Sequence, residues 1–363
     1  MSLKTDSKPK VQIFQYSVLR IPQPVSDLAM SNFDSSRPQF GGRLLDEGKD
    51  VFQHNAWDNV EWGEEQEREA QEAVAKSAKN LVSPNQAEEY EIKAGEFWDK
   101  FYSIHQNRFF KERNWLFTEF PDLAPGQVVG RERVFASSQT SAGEEAEAEF
   151  KPTSTSSVAE SDDATDDGRV ILEEQVRKLR QDESYFGENS GFRLFEVGCG
   201  TGSSVFPVLE VNQSPDLMVY CCDLSQQAVN LVREHKDYAS GRCHAWVADV
   251  TADDWGAPFP PASLDVITLI FVLSAINPSL MAKVANKMFS YLKPGGQVMF
   301  RDYGRYDLAQ LRFKPGRCIS DNFYARGDGT RCYFFTQEEL RDLFVGAGFV
   351  EKQNLVDRRL QVG

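Results

Sequence analysis

Basic residues are in short supply in this sequence. Its 363 residues include 40 Lys and Arg against 55 Asp and Glu, which gives a formal net charge of −15. Proteins that bind nucleic acids usually neutralise phosphates with clustered Lys and Arg. The overall charge therefore argues against a nucleic-acid partner, unless the acidic residues are concentrated in one segment.

Long apolar runs are lacking as well. The longest uncharged apolar run, Val266–Ile276, has 11 residues, whereas a membrane-spanning helix needs about 20. The N-terminal residues contain Lys and Arg but also Asp6, and they lack the apolar core of a signal peptide. We therefore expect a cytoplasmic protein with no membrane span, and a mitochondrial presequence is the less favoured alternative.

Cysteine pairs with the spacing of a metal or redox site are absent too. The six cysteines are scattered, and none forms the C-x-x-C pair that is typical of structural zinc sites and redox dithiols. The sequence therefore predicts buried, reduced thiols and no metal centre.

Apolar residues are plentiful by contrast. Hydrophobic residues make up 41% of the chain, and Phe alone accounts for 26 residues. Such a composition is typical of a folded protein and not of a disordered or coiled-coil chain. The length allows one large domain or two ordinary ones, each with its own core.

The N-terminal third divides into two predicted regions. Residues 1–39 are polar, contain several prolines and show no sustained periodicity, so we predict a disordered arm. Residues 40–125 are rich in aromatic side chains and contain helix-forming stretches at 61–80 and 88–105. We therefore predict a helical cap for residues 40–125.

An acidic segment follows the cap. Residues 137–168 contain Ser, Thr, Ala and nine acidic residues against one Lys, a local balance of −8. A segment with so few large apolar side chains cannot offset the entropy of ordering, and we predict a disordered linker over residues 126–169. More than half of the net charge lies there, so the objection to a nucleic-acid partner is weaker than the total suggests.

In the remaining residues, 170–363, short apolar runs alternate with helical patterns. Strands are predicted at 193–197, 218–222, 244–248, 264–270 and 297–301, and helices at 225–235 and 279–292. Such alternation is typical of βαβ units around a parallel sheet. We therefore predict a doubly wound, Rossmann-like α/β domain whose binding site lies at the carboxyl ends of the strands.

The first predicted strand of this domain ends in a glycine-rich turn. Gly198, Gly200 and Gly202 follow the strand, and glycines let the backbone approach a ligand closely. Asp223 ends the second strand, where a carboxylate can accept the hydroxyl groups of a ribose. Asp249 ends the third, where it can accept the amine of adenine. The combination favours an adenosyl ligand over a plain turn with two helix-capping aspartates.

Several motifs resemble those of one enzyme family. The motifs that are similar to class I S-adenosylmethionine-dependent methyltransferases are residues 198–202, 220–223, 269–275 and 292–295. Residues 301–307 and 322–331 resemble the enzymes that make 3-methylcytidine in tRNA anticodon loops, and 54–62 and 109–117 resemble their cytosolic branch. The resemblance covers residues 40–125 and 190–362.

The resemblance implies S-adenosylmethionine as the cofactor and N3 of cytidine 32 in tRNA as the target. The residues that it implies at the cofactor are Trp98, Tyr102, Gly198, Gly200, Asp223, Asp249, Val250 and Ile270. Trp98 and Tyr102 are four residues apart on a predicted helix and would close over the cofactor. Without the resemblance, the same two side chains are read as ordinary core aromatics.

Methylation at N3 of cytidine asks little acid–base chemistry of a protein. N3 carries a free lone pair and no proton, so catalysis is the positioning of the two reacting atoms about 3 to 3.5 Å apart in a site that excludes water. The product is a cationic base, which a nearby carboxylate can stabilise. Asp302 is the candidate for this catalytic role, with Tyr303 as a stacking wall. The alternative is that Asp302 caps a turn or pairs with Arg301.

Two regions are candidates for binding the anticodon arm of tRNA. The first is residues 301–331, whose local net charge is +3, and the second is the cluster of Phe110, Lys111, Arg113 and Trp115. Arg and aromatic side chains hold RNA loops and their phosphates. The candidate tRNA-binding residues are Phe110, Lys111, Arg113, Arg301, Tyr303, Arg305, Arg326 and Arg331. Either region can equally be a solvated face, and the resemblance leaves room for an accessory protein that delivers the tRNA.

The C-terminus departs from the family pattern. Members of the family continue beyond the segment 357–362 into strand 7, which completes the sheet, whereas this sequence ends at Gly363. We therefore expect the fifth and sixth strands to lack a shared neighbour and to expose backbone groups. The alternatives to a tRNA methyltransferase are a methyltransferase of small molecules or proteins, and a truncated, inactive protein that binds S-adenosylmethionine.

Overall fold

The computed structural model describes residues 10–22, 49, 56–58, 60–124, 184–238 and 241–361. The predicted linker of residues 126–169 lies outside these residues, as do residues 1–9 and 23–39 of the predicted arm. The chain divides into a first compact unit, built from residues before 131 and after 185, and the segment 131–185, most of which lies outside the described residues. All the elements below belong to the first unit.

Helices and strands alternate through most of this unit. The strands are β1 (Lys10–Arg20), β2 (Ala56–Trp57), β3 (Phe192–Val197), β4 (Leu217–Asp223), β5 (Cys243–Val247), β6 (Leu264–Ile270), β7 (Leu292–Tyr303), β8 (Cys318–Ser320), β9 (Phe323–Ala325), β10 (Arg331–Tyr333) and β11 (Val350–Gln361). The α-helices are α1 (Glu64–Ala78), α2 (Pro84–Ile92), α3 (Ala94–His105), α4 (Leu116–Glu119), α5 (Val205–Val211), α6 (Gln226–Arg233), α7 (Pro278–Tyr291), α8 (Leu308–Leu311) and α9 (Gln337–Gly346).

The main sheet has eight strands in the order β2-β11-β1-β7-β6-β3-β4-β5. Strands β5, β4, β3, β6 and β7 run parallel. Since β4 and β6 lie on opposite sides of β3, the winding of the chain changes direction there. The carboxyl end of β3 is consequently the position where a ligand is expected in such a sheet. The predicted doubly wound α/β fold is confirmed.

The central parallel strands are apolar along nearly their whole length. All seven residues of β4 are buried, and six of the seven in β6. A parallel sheet that is covered on both faces needs apolar side chains on both, so its strands show continuous runs and not alternation. All six cysteines are buried and free of disulfides, as predicted.

The N-terminal residues correct two predictions. Residues 10–20 form β1, which pairs antiparallel with both β7 and β11 and lies between them. The prediction of a disordered arm is therefore wrong for these residues, and so is the expectation that β7 and β11 lack a shared neighbour. Among the described residues no strand follows β11, and β1 satisfies the backbone groups that would otherwise stay unpaired.

The helices of the cap pack against a small three-stranded sheet, β10-β9-β8. The backbone N–H of Val82 donates to the carbonyl of Cys318 at 2.8 Å, and the hydroxyl groups of Ser77 and Tyr324 lie 3.3 Å apart. Helix α2 begins after Ser83, which caps it, and has Pro84 at its first position. These contacts bring α2 and α3 to the carboxyl ends of the parallel strands. No helix in the described part of the chain is long and apolar enough to span a bilayer.

Candidate active site

The glycine turn lies at the carboxyl end of β3, in contact with α3 of the cap. Gly198 and Gly200 have φ angles of 63° and 54°, in the left-handed region that favours glycine. A side chain at Gly200 would lie 2.7 Å from the hydroxyl oxygen of Tyr102. Glycine is thus required here both by the backbone conformation and by the close approach of the cap.

Asp223 ends β4 beside this turn. Its carboxylate accepts hydrogen bonds from the backbone N–H of Gly200 at 2.8 Å and of Ser225 at 2.9 Å. Burial raises the pKa of Asp223 to about 6, so the group is mostly ionised at neutral pH. Asp223 and Gly198 line one cleft, which is the position that the sequence predicts for a ribose-binding carboxylate.

Asp249 and Val250 follow β5 and line the same cleft. One oxygen of the exposed Asp249 carboxylate accepts hydrogen bonds from the backbone N–H of Thr251 at 2.8 Å and from its hydroxyl at 2.6 Å. These bonds fix the orientation of the carboxylate at the cleft. The structure therefore brings both predicted strand-end aspartates together with the glycine turn.

Ile270 is the exception among the predicted cofactor residues. Its side chain belongs to the hydrophobic core, while Phe271 and Val272, which follow β6 directly, line the cleft. Ile270 lies within the fully paired strand, whereas the next two residues have left the sheet and turn toward the cleft. The prediction that Ile270 lines the cofactor pocket is therefore corrected: Phe271 and Val272 line the cleft instead.

Trp98 and Tyr102 line the cleft from the side of the cap. Their rings are stacked, with centroids 5.9 Å apart. Helix α3 is fixed to the core by Asp99, whose carboxylate accepts hydrogen bonds from the hydroxyl of Ser225 at 2.6 Å and the backbone N–H of Gln227 at 3.1 Å. The predicted aromatic pair is therefore held beside the glycine turn, at the cleft.

Arg113 does not project from the protein surface as a phosphate ligand would. Its guanidinium donates to the hydroxyl of Ser204 at 2.6 Å and to the carboxylate of Glu196 at 3.3 Å. Burial raises the pKa of Glu196 to about 7, and Arg113 opposes that rise. The predicted contact of Arg113 with tRNA is corrected: this side chain joins the cap to the helix that follows the glycine turn.

Asp302 is fully buried, and its two oxygens accept backbone hydrogen bonds. The N–H groups of Ser274 and Tyr303 each donate to it at 2.9 Å. Burial raises its pKa to about 6. Asp302 also does not line the cleft, so the structure supports the alternative role, a cap for the turn after β6, over the predicted catalytic one.

Arg301, in the predicted basic region 301–331, makes internal contacts. Arg301 is buried and pairs with Glu119 of α4 at 2.8 Å. Its guanidinium lies 4.2 Å from the ring of Tyr16 and 4.3 Å from that of Trp115. The predicted contact of Arg301 with RNA is corrected, because the side chain joins β7, β1 and the cap.

Arg305 is likewise committed to internal contacts. Its guanidinium pairs with Glu339 at 2.6 Å and donates to the carbonyl of Phe334 at 3.0 Å. The predicted contact of Arg305 with RNA is corrected for the same reason: the side chain holds α9 against the strand ends.

Arg331 lines the cleft from β10. Its guanidinium pairs with Glu91 of α2, and Glu91 also accepts a hydrogen bond from the side chain of Asn277 at 2.8 Å. This contact between α2, β10 and the start of α7 closes one side of the cleft. Sequence reasoning missed Glu91 and Asn277, since nothing in the local pattern of either links them to Arg331.

The remaining candidates for tRNA binding lie near the cleft or on the cap. The Arg326 guanidinium lies 5.4 Å from the ring of Tyr303. Lys111 is exposed, and Phe110 is half-buried against Phe101, with ring centroids 5.8 Å apart. Lys111 is therefore the predicted residue whose side chain is most open to a phosphate.

Comparisons with known proteins agree with this arrangement. The family model described as a methyltransferase domain matches residues 170–352. The tRNA N(3)-cytidine methyltransferase METTL2 of Xenopus tropicalis is 48% identical over 333 residues, which cover 91% of this chain and 90% of that protein. The tRNA(Thr) (cytosine(32)-N(3))-methyltransferase of Saccharomyces cerevisiae is 35% identical over 345 residues, which cover 93% of this chain and 46% of that protein.

Solved structures give a more distant likeness. An S-adenosylmethionine-dependent methyltransferase from Clostridium acetobutylicum has a TM-score of 0.35 and 14% sequence identity, over 55% of this chain and 100% of that one. The assignment therefore depends on the sequence relatives, of which the first matches at 48% identity over nine tenths of both proteins. On that ground the chain belongs to the tRNA N(3)-cytidine methyltransferase family.

Proposed function

We propose that this protein transfers the methyl group of S-adenosylmethionine to N3 of cytidine 32 in the anticodon loop of tRNA. The observation that carries the proposal is the match, over nine tenths of both proteins, to a relative that bears this activity in its name. The cleft supports it, because the glycine turn and two strand-end aspartates are assembled in one place. The target position is taken from the yeast relative.

The cleft has the chemistry that an adenosyl cation requires. Asp223, Asp249 and Val250 line the cleft; in this proposal Asp223 accepts hydrogen bonds from the ribose hydroxyls, and Asp249 with Val250 holds the adenine. Glu91 adds a third carboxylate to the lining, against the single guanidinium of Arg331. S-adenosylmethionine supplies an electrophilic methyl group on a positively charged sulfur when it is bound, and a mainly anionic lining stabilises that charge.

The reaction then needs orientation and exclusion of water. The lone pair of N3 forms the new bond to the methyl carbon while the carbon–sulfur bond breaks and its electron pair stays on sulfur. The base takes up the positive charge without losing a proton. Trp98 and Tyr102 line the cleft from the cap, and in this proposal their rings keep water from the reacting atoms.

A methylation assay with defined RNA tests the proposal. The purified protein is incubated with S-adenosylmethionine and a tRNA transcript that carries cytidine at position 32, and the digested nucleosides are measured by mass spectrometry. We expect 3-methylcytidine from this transcript and none from the matched transcript with uridine at position 32. Methyl transfer to protein or to small molecules, without 3-methylcytidine in the tRNA, would refute the proposal.

The sheet bears on the alternative of an inactive, truncated protein. Strand β1 fills the position between β7 and β11. The last parallel strand, β7, is therefore paired on both of its edges. We propose a catalytically competent enzyme that acts in the cytosol. An accessory protein that delivers tRNA is part of this proposal, and an increase in kcat/KM on addition of cytosolic protein fractions to the assay would support it.

A further inference from the structure

Phe271 forms part of the cleft wall and has an unusual backbone conformation for a bulky residue. Its φ angle is 59°, in the left-handed region that such residues rarely adopt. Its backbone N–H donates to the carbonyl of Arg301 at 2.8 Å, and its side chain lines the cleft. A conformation of this kind costs free energy and persists only where the surrounding structure holds it. The contacts of the Phe271 ring therefore determine the shape of this part of the cleft.

The ring of Phe271 packs against rings from two strands. Its centroid lies 5.0 Å from that of Tyr303 on β7 and 5.6 Å from that of Phe14 on β1. The contact with Phe14 is edge-to-face, with 78° between the ring planes, which is a favourable geometry for two aromatic rings. Phe14 is half-buried and does not itself line the cleft. Its influence on the cleft is therefore exerted through Phe271.

The position of Phe14 is fixed by its own ring contacts and by the backbone beside it. The Arg301 guanidinium covers the Phe14 ring, 4.5 Å from its centroid. The backbone N–H of Ile13 donates to the carboxylate of Asp307 at 2.6 Å, and the carbonyl of Ile13 accepts from the N–H of Gly304 at 2.7 Å. Strand β1 is thus held on β7 at this point, and it gives the aromatic ring in the cleft wall a rigid support.

We propose that Phe14 is a positioning residue for S-adenosylmethionine, because it holds Phe271 in the conformation that completes the cofactor cleft. This inference deepens the proposed function and rests on the cofactor that it names. It gives β1 a role in cofactor binding in addition to its place in the sheet. Without the Phe14 ring, the strained turn at Phe271 loses one of its supports and relaxes away from the cleft. The affinity then falls, since only molecules in the competent conformation bind the cofactor.

Calorimetric titration with S-adenosylmethionine tests the inference. Phe14→Leu keeps an apolar side chain and removes the ring. Since an aromatic pair contributes roughly 2- to 12-fold to an equilibrium constant, we expect this change to raise the Kd about fivefold. Phe14→Tyr keeps the ring and should bind with nearly the wild-type Kd. Phe14→Met takes the place of the leucine variant in the same comparison if that variant does not fold.

A double-mutant cycle separates an effect through Phe271 from a general loss of stability. Phe271→Leu removes the ring that Phe14 supports, so adding Phe14→Leu to this variant should have little further effect on the Kd. A full fivefold loss from Phe14→Leu in the Phe271→Leu variant would overturn the inference. It would also be overturned by a Phe14→Leu protein with wild-type affinity, or by equal losses in Phe14→Tyr and Phe14→Leu.

Val18→Ala is the matched control. Val18 lies on the same strand in the hydrophobic core and pairs with Met299. We expect a lower melting temperature with wild-type affinity for S-adenosylmethionine. A loss of affinity equal to that of Phe14→Leu would show that the stability of β1, and not the ring of Phe14, controls the cleft. A wild-type protein that binds S-adenosylmethionine and forms no 3-methylcytidine would instead overturn the proposed function, and the titrations would still decide the role of Phe14.

Discussion

Asp249 and Asp253 share one loop but have different surroundings. Asp249 lines the cleft, whereas Asp253 is exposed and pairs with Lys283 at 2.7 Å. We predict that Asp249→Ala weakens the binding of S-adenosylmethionine about tenfold, because a hydrogen bond to a charged group is worth roughly 1.5 to 3 kcal/mol. Isothermal titration calorimetry measures the effect. Asp253→Ala is the control and should bind like wild type; equal affinity of both variants would contradict the role of Asp249.

The carboxylate of Asp223 makes cofactor binding depend on pH. Its pKa is raised to about 6, so at pH 5 only about a tenth of the groups are ionised. We predict that the affinity for S-adenosylmethionine falls roughly tenfold between pH 7 and pH 5. Asp223→Asn should bind more weakly at pH 7 and show a flat profile over this range.

Protonation of Asp223 has the opposite effect on the stability of the fold. Because the pKa of Asp223 is higher in the folded protein than in the unfolded chain, the folded state binds the proton more tightly. Protonation of Asp223 therefore stabilises the fold, and that contribution is lost as the pH rises through about 6. Thermal melts in the same buffers separate the two effects. An affinity that is unchanged from pH 7 to pH 5 would contradict the prediction.

At this scale the sequence predicts the residues whose roles are local. The glycine turn and the aspartates at the ends of β4 and β5 follow from strand positions, and all lie at the cleft. Asp302, Arg113 and Arg301 were assigned from residue type, and their burial shows that internal partners use their charges. Tyr303 is adjacent to Asp302, but the other partners, Ser274, Glu196 and Glu119, lie 28, 83 and 182 residues away in the chain, so no local pattern indicates them.

Helix α2 and strand β10 are joined across the cleft by one ion pair. Glu91 pairs with Arg331 and also accepts a hydrogen bond from Asn277. We predict that Glu91→Gln loosens the cap and raises the dissociation rate of S-adenosylmethionine about three- to tenfold, as expected for loss of a partly buried charge pair. Stopped-flow fluorescence of the cleft tryptophan follows the dissociation.

The same helix provides a control for this prediction. Glu89 pairs with Lys93 on the exposed side of α2 at 2.8 Å, and surface pairs of this kind contribute little. Glu89→Gln should therefore leave the dissociation rate unchanged. If both variants release the cofactor at the wild-type rate, the ion pair of Glu91 does not hold the cleft closed.

Strand β1 is the element that the sequence did not predict. A strand with one solvent face alternates polar and apolar residues. In β1 this alternation is confined to residues 14–18, where Phe, Tyr and Val alternate with Gln and Ser, and β1 is buried on both faces. Its interior also contains Gln15 and Ser17, which are buried and hydrogen-bonded to Phe335 and Asn354. Because the partners of these polar residues are distant in the sequence, the local composition predicted a disordered arm. The parallel strands were predictable because their apolar runs are local.

Within the first compact unit, one buried ion pair links three parts of the structure. Arg301 of β7 pairs with Glu119 of the cap and stacks on Tyr16 of β1. We predict that Glu119→Ala lowers the free energy of unfolding by about 3 to 5 kcal/mol, because the Arg301 charge is then left buried without this partner. Chemical denaturation measures the change.

An exposed pair tests whether burial is the cause. Glu65 pairs with Arg68 at 2.7 Å on the surface of α1, and Glu65→Ala should change the unfolding free energy by less than about 1 kcal/mol. Equal losses of unfolding free energy in the two variants would show that burial between the cap and the sheet does not increase the contribution of the Arg301 ion pair.

The place of β1 in the sheet has a consequence for synthesis on the ribosome. Lys10 pairs with Gln361, so β1 meets one of its two neighbours only after the intervening residues 21–349 have been synthesised. Contacts this distant in sequence form slowly, and an unpaired apolar strand is prone to aggregate in the meantime. Nascent chains of this protein should thus depend on chaperones until β11 emerges, and pausing of translation before β11 should lower the yield of folded enzyme.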